Sequence, residues 1–367
     1  MIKIIFYNFL ILIVLLFIVI LIPPLSLDTY RLFKKLSEPA ELRVNLEYYK
    51  DKAWAETHFT ELKEQSFQYY DFIGWRKKFY QGSTININKD GFRYHNSLEP
   101  AQTDLWMFGG STVFGAGSKD KETIVGFIEA KKNIKTFNMG ENAYTTHQDF
   151  NLLMKMNKND SIKDKHIIFY GGVNDVIHKC RVELNSYSTA QEKKIGSRLD
   201  GRKNNIVGNE DQNISFMKVF EPTIYVIKKI KSRILSSSAG SENFYDCHKN
   251  EKKVKEIVKY LISDWELANY IVKKEGGKFL AILQPVSHFS NPNLDHLSYL
   301  RDRKIEKKQY EVVYNEILNQ LKLSLNFNFL DLTKLFDTNE QIFIDYAHYT
   351  PEGNAKIADE IIKHLKL

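Results

Sequence analysis

From residue 104 onward, short apolar runs alternate with longer segments whose apolar residues recur at helical spacing. Leu105–Phe108, Lys135–Asn138, His166–Tyr170, Phe279–Leu283 and Phe329–Leu332 read as strands, too short for helices and bounded by polar residues. Between them, Thr123–Lys132 places Ile124, Phe127 and Ile128 on one stripe, and Thr146–Met156 does the same with Phe150, Leu153 and Met154. Lys253–Lys274, carrying Val254, Ile257, Val258, Leu261 and Trp265, predicts a long helix, and Ile305–Leu323 and Pro351–Leu365 predict two more. Thr350-Pro351 has the form of a cap and first turn for the last of these, with Glu352 in that turn. Strands alternating with helices of this size predict an α/β fold: a parallel sheet with helices on both faces.

The alternation fails in two places. Residues 177–250 hold a Gly/Asn/Lys-rich stretch, the largely apolar Ile214–Ile234 and the cluster Ser236–Ser238, and this length reads as an insertion over the fold. At the other end, Ile4–Ile22 is apolar except for Tyr7 and Asn8 and stops at Pro23-Pro24. That length matches the roughly 20 residues that cross a bilayer, so residues 1–25 read as an uncleaved transmembrane anchor in contact with lipid. A cleaved signal peptide is the rival, weakened by the length of the run and the lack of a small-x-small site after it. Lys3 before the span and Arg31, Lys34 and Lys35 after it do not fix its orientation. Residues 26–100 then read as a charged stalk followed by an aromatic strap, Tyr69–Tyr94. There Trp75, Phe79, Tyr80 and Phe92 are interleaved with Arg and Lys and are expected to pack on the main domain, 101–367.

Composition narrows the class. Of 367 residues, 43% are hydrophobic and 26% charged, as expected of a folded chain. The net charge of +7 is spread among acids, and without a basic stripe or a recognisable module a nucleic-acid partner is not expected. The two cysteines, Cys180 and Cys247, are too few and too far apart for a usual zinc site. They are either a bridge closing the insertion or two unpaired thiols. No metal or cofactor is called for.

The chemistry lies where the strands end. Gly109-Gly110-Ser111-Thr112 follows the first strand, Gly172-Val173-Asn174-Asp175 follows the third, and Asp345-Tyr346-Ala347-His348 precedes the last helix. Ligands of such sheets bind at the carboxyl ends of the strands, so the topology gathers these residues at one edge. A serine, an asparagine and an Asp/His pair make up a serine esterase: nucleophile, oxyanion donor, orienting carboxylate and base. Glycine-rich turns also cap helices and cradle phosphates, but the Lys-Ser/Thr of a nucleotide loop is missing here. His288, after the fourth strand, is a weaker candidate for the base.

These blocks resemble the SGNH (GDSL-like) esterases over roughly 104–180 and 275–365. The resemblance implies a flavodoxin-like three-layer α/β/α fold, with Ser111 as nucleophile, Asn174 as side-chain oxyanion donor, His348 as base and Asp345 as its partner. It also implies that Gly140, in Asn138-Met139-Gly140, supplies a backbone N–H to the oxyanion hole. Two departures stand out. The Asp of the namesake Gly-Asp-Ser is Gly110, and Ala143 stands where relatives often carry a second glycine. The first resembles a membrane-anchored branch associated with bacterial envelope polysaccharides. That branch also tends to carry an Asn-x-x-Gly-x-Arg element, comparable with Asn88–Arg93. The expectation is therefore an extracytoplasmic, periplasmic or cell-surface, serine esterase. It would remove a small acyl group, acetyl above all, from an envelope glycan or glycoconjugate, near envelope biosynthesis proteins. Two rivals stay open: an O-acyltransferase built on the same acyl-enzyme, and a non-catalytic polysaccharide-binding or assembly protein.

Overall fold

The computed structural model describes residues 41–96, 98–197, 244–324 and 326–367, together with Tyr7 and Ile11. Residues 42–196 and 244–367 form one compact unit. Apart from Tyr7 and Ile11, the anchor expected at Ile4–Ile22 lies outside the described residues, as does the middle of the insertion, 198–243. Among the described residues no helix is long and apolar enough to cross a membrane.

Five parallel strands form the central sheet: β5 (Leu105–Gly109), β6 (Thr136–Asn138), β7 (His166–Gly171), β8 (Lys278–Leu283) and β9 (Phe329–Asp331), in the order β6-β5-β7-β8-β9. The chain thus starts near the middle, steps once to one side and then continues to the other, which is the flavodoxin-like arrangement. Within each strand the side chains alternate between two cores. Trp106, Phe108, Ile167, Phe169, Phe279 and Ala281 face one core, closed by the helices Thr146–Asn159, Glu251–Lys274 and Lys304–Ser324. Leu105, Met107, Ile168, Tyr170, Leu280 and Ile282 face the other, closed by Ile124–Lys132 and Pro351–Leu365. Burial on both faces is why these strands read as unbroken apolar runs. The helix starts follow local chemistry: Thr123 accepts from Gly126 N–H, Thr350 accepts from Gly353 N–H, and Thr145 with Gln148 forms a capping box.

The segment expected to be a stalk is folded onto this unit from residue 42 onward. Tyr49 OH donates to Gly117 O at 2.6 Å, and the helix Ala55–Glu64 buries Phe59 and His58. Of the strap, β1 (Phe67–Tyr70) and β2 (Gly74–Lys77) form a hairpin, and β3 (Tyr80–Gln81) pairs with β4 (Asn86–Ile87). Trp75 and Phe92 are buried, as expected of a packed strap, whereas Phe67, Tyr69, Phe72 and Phe79 are exposed. The insertion is stapled at its neck: Cys180 and Cys247 form a disulfide with Cα atoms 5.2 Å apart, beside a bridge between Arg181 and Tyr245. The helix Val173–Lys179 runs slightly into the range expected for the insertion.

Candidate active site

β5 ends at Gly109, and the chain turns at once into a single helical turn, Ser111–Phe114. That turn places Ser111 at the carboxyl edge of the sheet. Asp345 and His348 lie in the loop before the closing helix, pinned by the bridge between Phe343 and Tyr349. The loop brings His348 Nε2 to 2.6 Å from Ser111 Oγ, and His348 Nδ1 to 2.9 and 2.8 Å from the two oxygens of Asp345. Asp345 Oδ1 also accepts the backbone N–H groups of Ala347 and His348, both at 2.9 Å, so the carboxylate is fixed before it orients the ring. Burial alone would raise this carboxyl. The opposite charge and hydrogen bond of His348, with the two amides, outweigh it and hold Asp345 well below the usual carboxylate range. Arg43 Nη1 lies 3.8 Å from Asp345 Oδ2 and sets a cation beside the carboxylate. The geometry can take a proton from the serine hydroxyl on one side of an imidazole and stabilise the resulting imidazolium on the other.

Asn174 stands one residue inside the helix that follows β7, the strand paired with β5. Its Nδ2 donates to Tyr144 O at 2.7 Å, and one of its two amide hydrogens is left without a protein partner among the described residues. The loop after β6 behaves differently from the expectation. Gly140 N–H donates to Asn138 Oδ1 at 2.9 Å, while Asn138 Nδ2 donates to Val113 O at 2.8 Å. The Gly140 amide is therefore already committed within the loop, and the structure does not offer it as a free oxyanion donor. What position 140 needs is space: a Cβ there would sit 2.3 Å from Phe114 N. Three residues later Ala143 adopts a left-handed φ of 63°, the third position of a turn closed by Tyr144 N–H on Glu141 O at 3.3 Å. The amide of Ala143 has no hydrogen-bond partner among the described residues.

Behind this loop lies the strap. Arg76, fully buried, stacks on Phe92 at 4.0 Å and reaches Met139 O at 3.4 Å and Gly140 O at 3.5 Å. Trp75 Nε1 donates to Asn142 O at 2.8 Å, and Tyr144 OH donates to Trp75 O at 2.6 Å. The aromatics Trp75 and Phe92 pack on the main domain as the sequence predicts, and the structure adds that Trp75 grips this particular loop. Their spacing carries no sign of the partner, which is a backbone carbonyl.

The model of the GDSL-like lipase/acylhydrolase family matches residues 105–361, more than half of the chain. The chain belongs to that family. As a GDSL-like acylhydrolase it is a carboxylic ester hydrolase. No curated protein sequence matches it. Solved structures similar to this acylhydrolase include a lipolytic G-D-S-L family protein from Veillonella parvula, at 13% identity and a TM-score of 0.40, covering 71% of this chain and 96% of that one. A lipase/acylhydrolase from Enterococcus faecalis shows 13% identity and a TM-score of 0.38, covering 71% and 94%. A catalytic mutant of an acetylxylan esterase from Geobacillus stearothermophilus shows 12% identity and 0.34, covering 72% and 94%.

The acylhydrolase's departure at Gly110 has a steric reason. A Cβ at that position would lie 2.3 Å from Asn174 Nδ2, so an unsubstituted backbone lets the asparagine amide close over the residue beside the serine. His288, the weaker candidate for the base, is buried and stacked on Tyr346 at 5.8 Å. Burial first, then the charges of Arg303 and Lys307, push its imidazole down to about 4. It has no carboxylate to orient it among its described contacts, and His348 is the histidine that meets the serine.

Proposed function

We propose that this acylhydrolase is a serine esterase in which Ser111 attacks the ester carbonyl and His348, oriented by Asp345, takes and returns the proton. The observation that carries the reading is the continuous contact Ser111 Oγ–His348 Nε2 at 2.6 Å and His348 Nδ1–Asp345 at 2.8 Å. The hydroxyl proton passes to Nε2 as Oγ adds to the carbonyl. The alcohol then leaves with that proton, and water activated by the same nitrogen releases the acid from the acyl-enzyme. Asn174 Nδ2 and the N–H of Ser111 receive the oxyanion, with the N–H of Ala143, which has no partner among the described residues, as a third donor. Gly140 serves by its small size, letting the loop close on the serine turn.

The substrate in this proposal is a small acyl group, acetyl above all, on an envelope saccharide, and the enzyme works outside the cytoplasm from a membrane anchor at Ile4–Ile22. The disulfide Cys180–Cys247 supports that location, because such bridges persist in oxidising compartments. The apolar run of the N-terminus supports the anchor. Acetate release from O-acetylated envelope glycan, compared with its deacetylated form, tests the reading. Wild-type protein should release acetate, and Ser111→Ala should lose at least about 10³-fold of that rate with an unchanged melting temperature. Acetyl groups moving to an added sugar acceptor without free acetate would establish a transferase instead. No turnover of any acyl ester would overturn the enzymatic reading.

A further inference from the structure

The Asn88-x-x-Gly91-x-Arg93 element takes no part in the chemistry above, yet it ends in an almost fully buried cation. Asn88 Oδ1 accepts the amides of Asp90 at 3.1 Å and Phe92 at 2.9 Å, and Asn88 N–H donates to Phe92 O at 2.9 Å. Gly91 turns the chain with φ 84°, where a Cβ would meet Lys77 O at 2.6 Å. The element is therefore a built turn, and what it delivers is Arg93, 1% exposed.

All five N–H groups of that guanidinium are used. Nε donates to Asp120 Oδ1 at 2.8 Å. Nη1 donates to Phe114 O at 2.8 Å and Gly115 O at 2.7 Å, and Nη2 to Ser118 O at 2.6 Å and Thr84 O at 3.2 Å. Two of these acceptors matter most. Phe114 and Gly115 close the helical turn that Ser111 opens. A single turn of four residues cannot hold itself together, because fixing its torsions yields too few internal hydrogen bonds. Its last carbonyls have no partner further along the helix. Arg93 supplies those partners from a site that Asp120 keeps neutral, and its guanidinium also lies 5.0 Å over the Phe114 ring.

We propose that Arg93 is a positioning residue for the nucleophile: it clamps the far end of the Ser111–Phe114 turn and so fixes where Ser111 Oγ stands against His348. The inference rests on the reading of Ser111 as nucleophile. Ser111 and Phe114 are about 4.5 Å apart along the turn at 1.5 Å per residue, so a slackened end moves the serine directly. A displacement near 1 Å costs catalysis on the order of 10²-fold. Lysine cannot substitute: it offers three donors on a point charge, so at least two of the five bonds to the guanidinium are lost and the planar fork that spans Phe114 O and Gly115 O together is gone.

The experiment compares Arg93→Lys with Ile162→Ala. Ile162 is buried just before β7, at the amino edge of the sheet opposite the serine, so its truncation lowers stability without touching the turn. Melting temperature, kcat and KM on 4-nitrophenyl acetate, and the rate of fluorophosphonate labelling are read well below all melting points. Arg93→Lys should lose roughly 10- to 100-fold in kcat and in labelling rate with KM within about 3-fold, while Ile162→Ala keeps kcat within about 2-fold. Arg93→Lys with kcat within about 2-fold of wild type, or falling no further than Ile162→Ala, would overturn the proposal. Should Arg93→Lys not fold, Asp120→Asn decides, since it loosens the guanidinium without removing it. A loss of about 3-fold or more in kcat at constant KM supports the clamp, and an unchanged kcat rejects it. If wild-type protein is not labelled at Ser111, the nucleophile reading itself fails and the clamp falls with it. If it is labelled and the Arg93 and Asp120 variants behave as wild type, the clamp alone fails.

Discussion

Two corners of the same sheet edge solve different problems. At one, Ser111, His348 and Asp345 meet through side chains, at 2.6 Å and 2.8 Å, and each residue type declares its role. At the other, the loop Asn138–Tyr144 works through its backbone. There a side chain, Asn138, clips Gly140 N–H at 2.9 Å and Val113 O at 2.8 Å, and Arg76 and Trp75 hold the carbonyls from behind. In the proposed mechanism the first corner does the proton chemistry, and the second sets how close the oxyanion donors stand to it. Small residues in such a loop are thus needed for packing as much as for donation. Gly140 is tight against Phe114 N, while the left-handed turn falls on Ala143.

The sharpest way to separate the corners is Asn174→Ala. It removes one oxyanion donor and leaves the proton relay intact, so kcat should fall about 10²- to 10³-fold with a smaller change in KM. A variant that melts lower yet turns over normally would make Asn174 a structural residue only.

Asn138→Ala probes the backbone corner and should cost less. It leaves Gly140 N–H and Val113 O without their partner, so stability should fall by about 1–3 kcal/mol. As the loop loosens, kcat should fall about 10-fold. If Gly140 N–H were itself the oxyanion donor, freeing it would leave kcat unchanged or raise it, and steady-state kinetics beside a thermal melt tell the two apart.

The smallest expected effect is on pH dependence, and it contrasts ionised Asp345 with neutral histidines, His58 and His288 buried and His178 half-buried. Burial, then the charge of Arg93, lowers His58 to about 3, while burial lowers His178 and His288 to about 4. In the unfolded chain these groups titrate near 6.5, so below that pH the unfolded state binds more protons and stability falls with pH until the folded values are reached. Asp345, held low, adds stability that is present above about pH 4 and lost only as pH drops further toward its folded value. Melting temperatures should therefore decline from pH 7 to pH 5 through the histidines, before any loss through Asp345. Because His147, Asp149 and Glu141 are shifted upward and act the other way, the check is a comparison: the decline should be shallower in His288→Gln, and a slope equal to wild type would contradict the burial of that ring as a neutral group.

Much of this was legible in the chain. The five strands and the helices between them follow from apolar runs and helical stripes, because a sheet buried on both faces leaves little else for those positions to be. The contact of Ser111, His348 and Asp345 was legible because a serine at a strand end and an Asp/His pair before the last helix carry distinctive chemistry. The roles of Gly140, Arg76 and Arg93 were not. Their partners are carbonyls and amides, which every residue possesses and no residue type advertises. The packed segment after residue 42 read as a stalk because its charged residues are prominent in the sequence. Its buried contacts, Tyr49 on Gly117 O and His58 on Ala116 O, again end on backbone.

Covalent trapping probes whether Ser111 is a nucleophile activated by His348. Purified protein lacking residues 1–25 is treated with a fluorophosphonate, digested, and the modified peptide sequenced by mass spectrometry. One stoichiometric adduct should form on Ser111, abolished in Ser111→Ala and strongly slowed in His348→Ala. No adduct, an adduct on another residue, or labelling of Ser111 that does not depend on His348 would contradict that role.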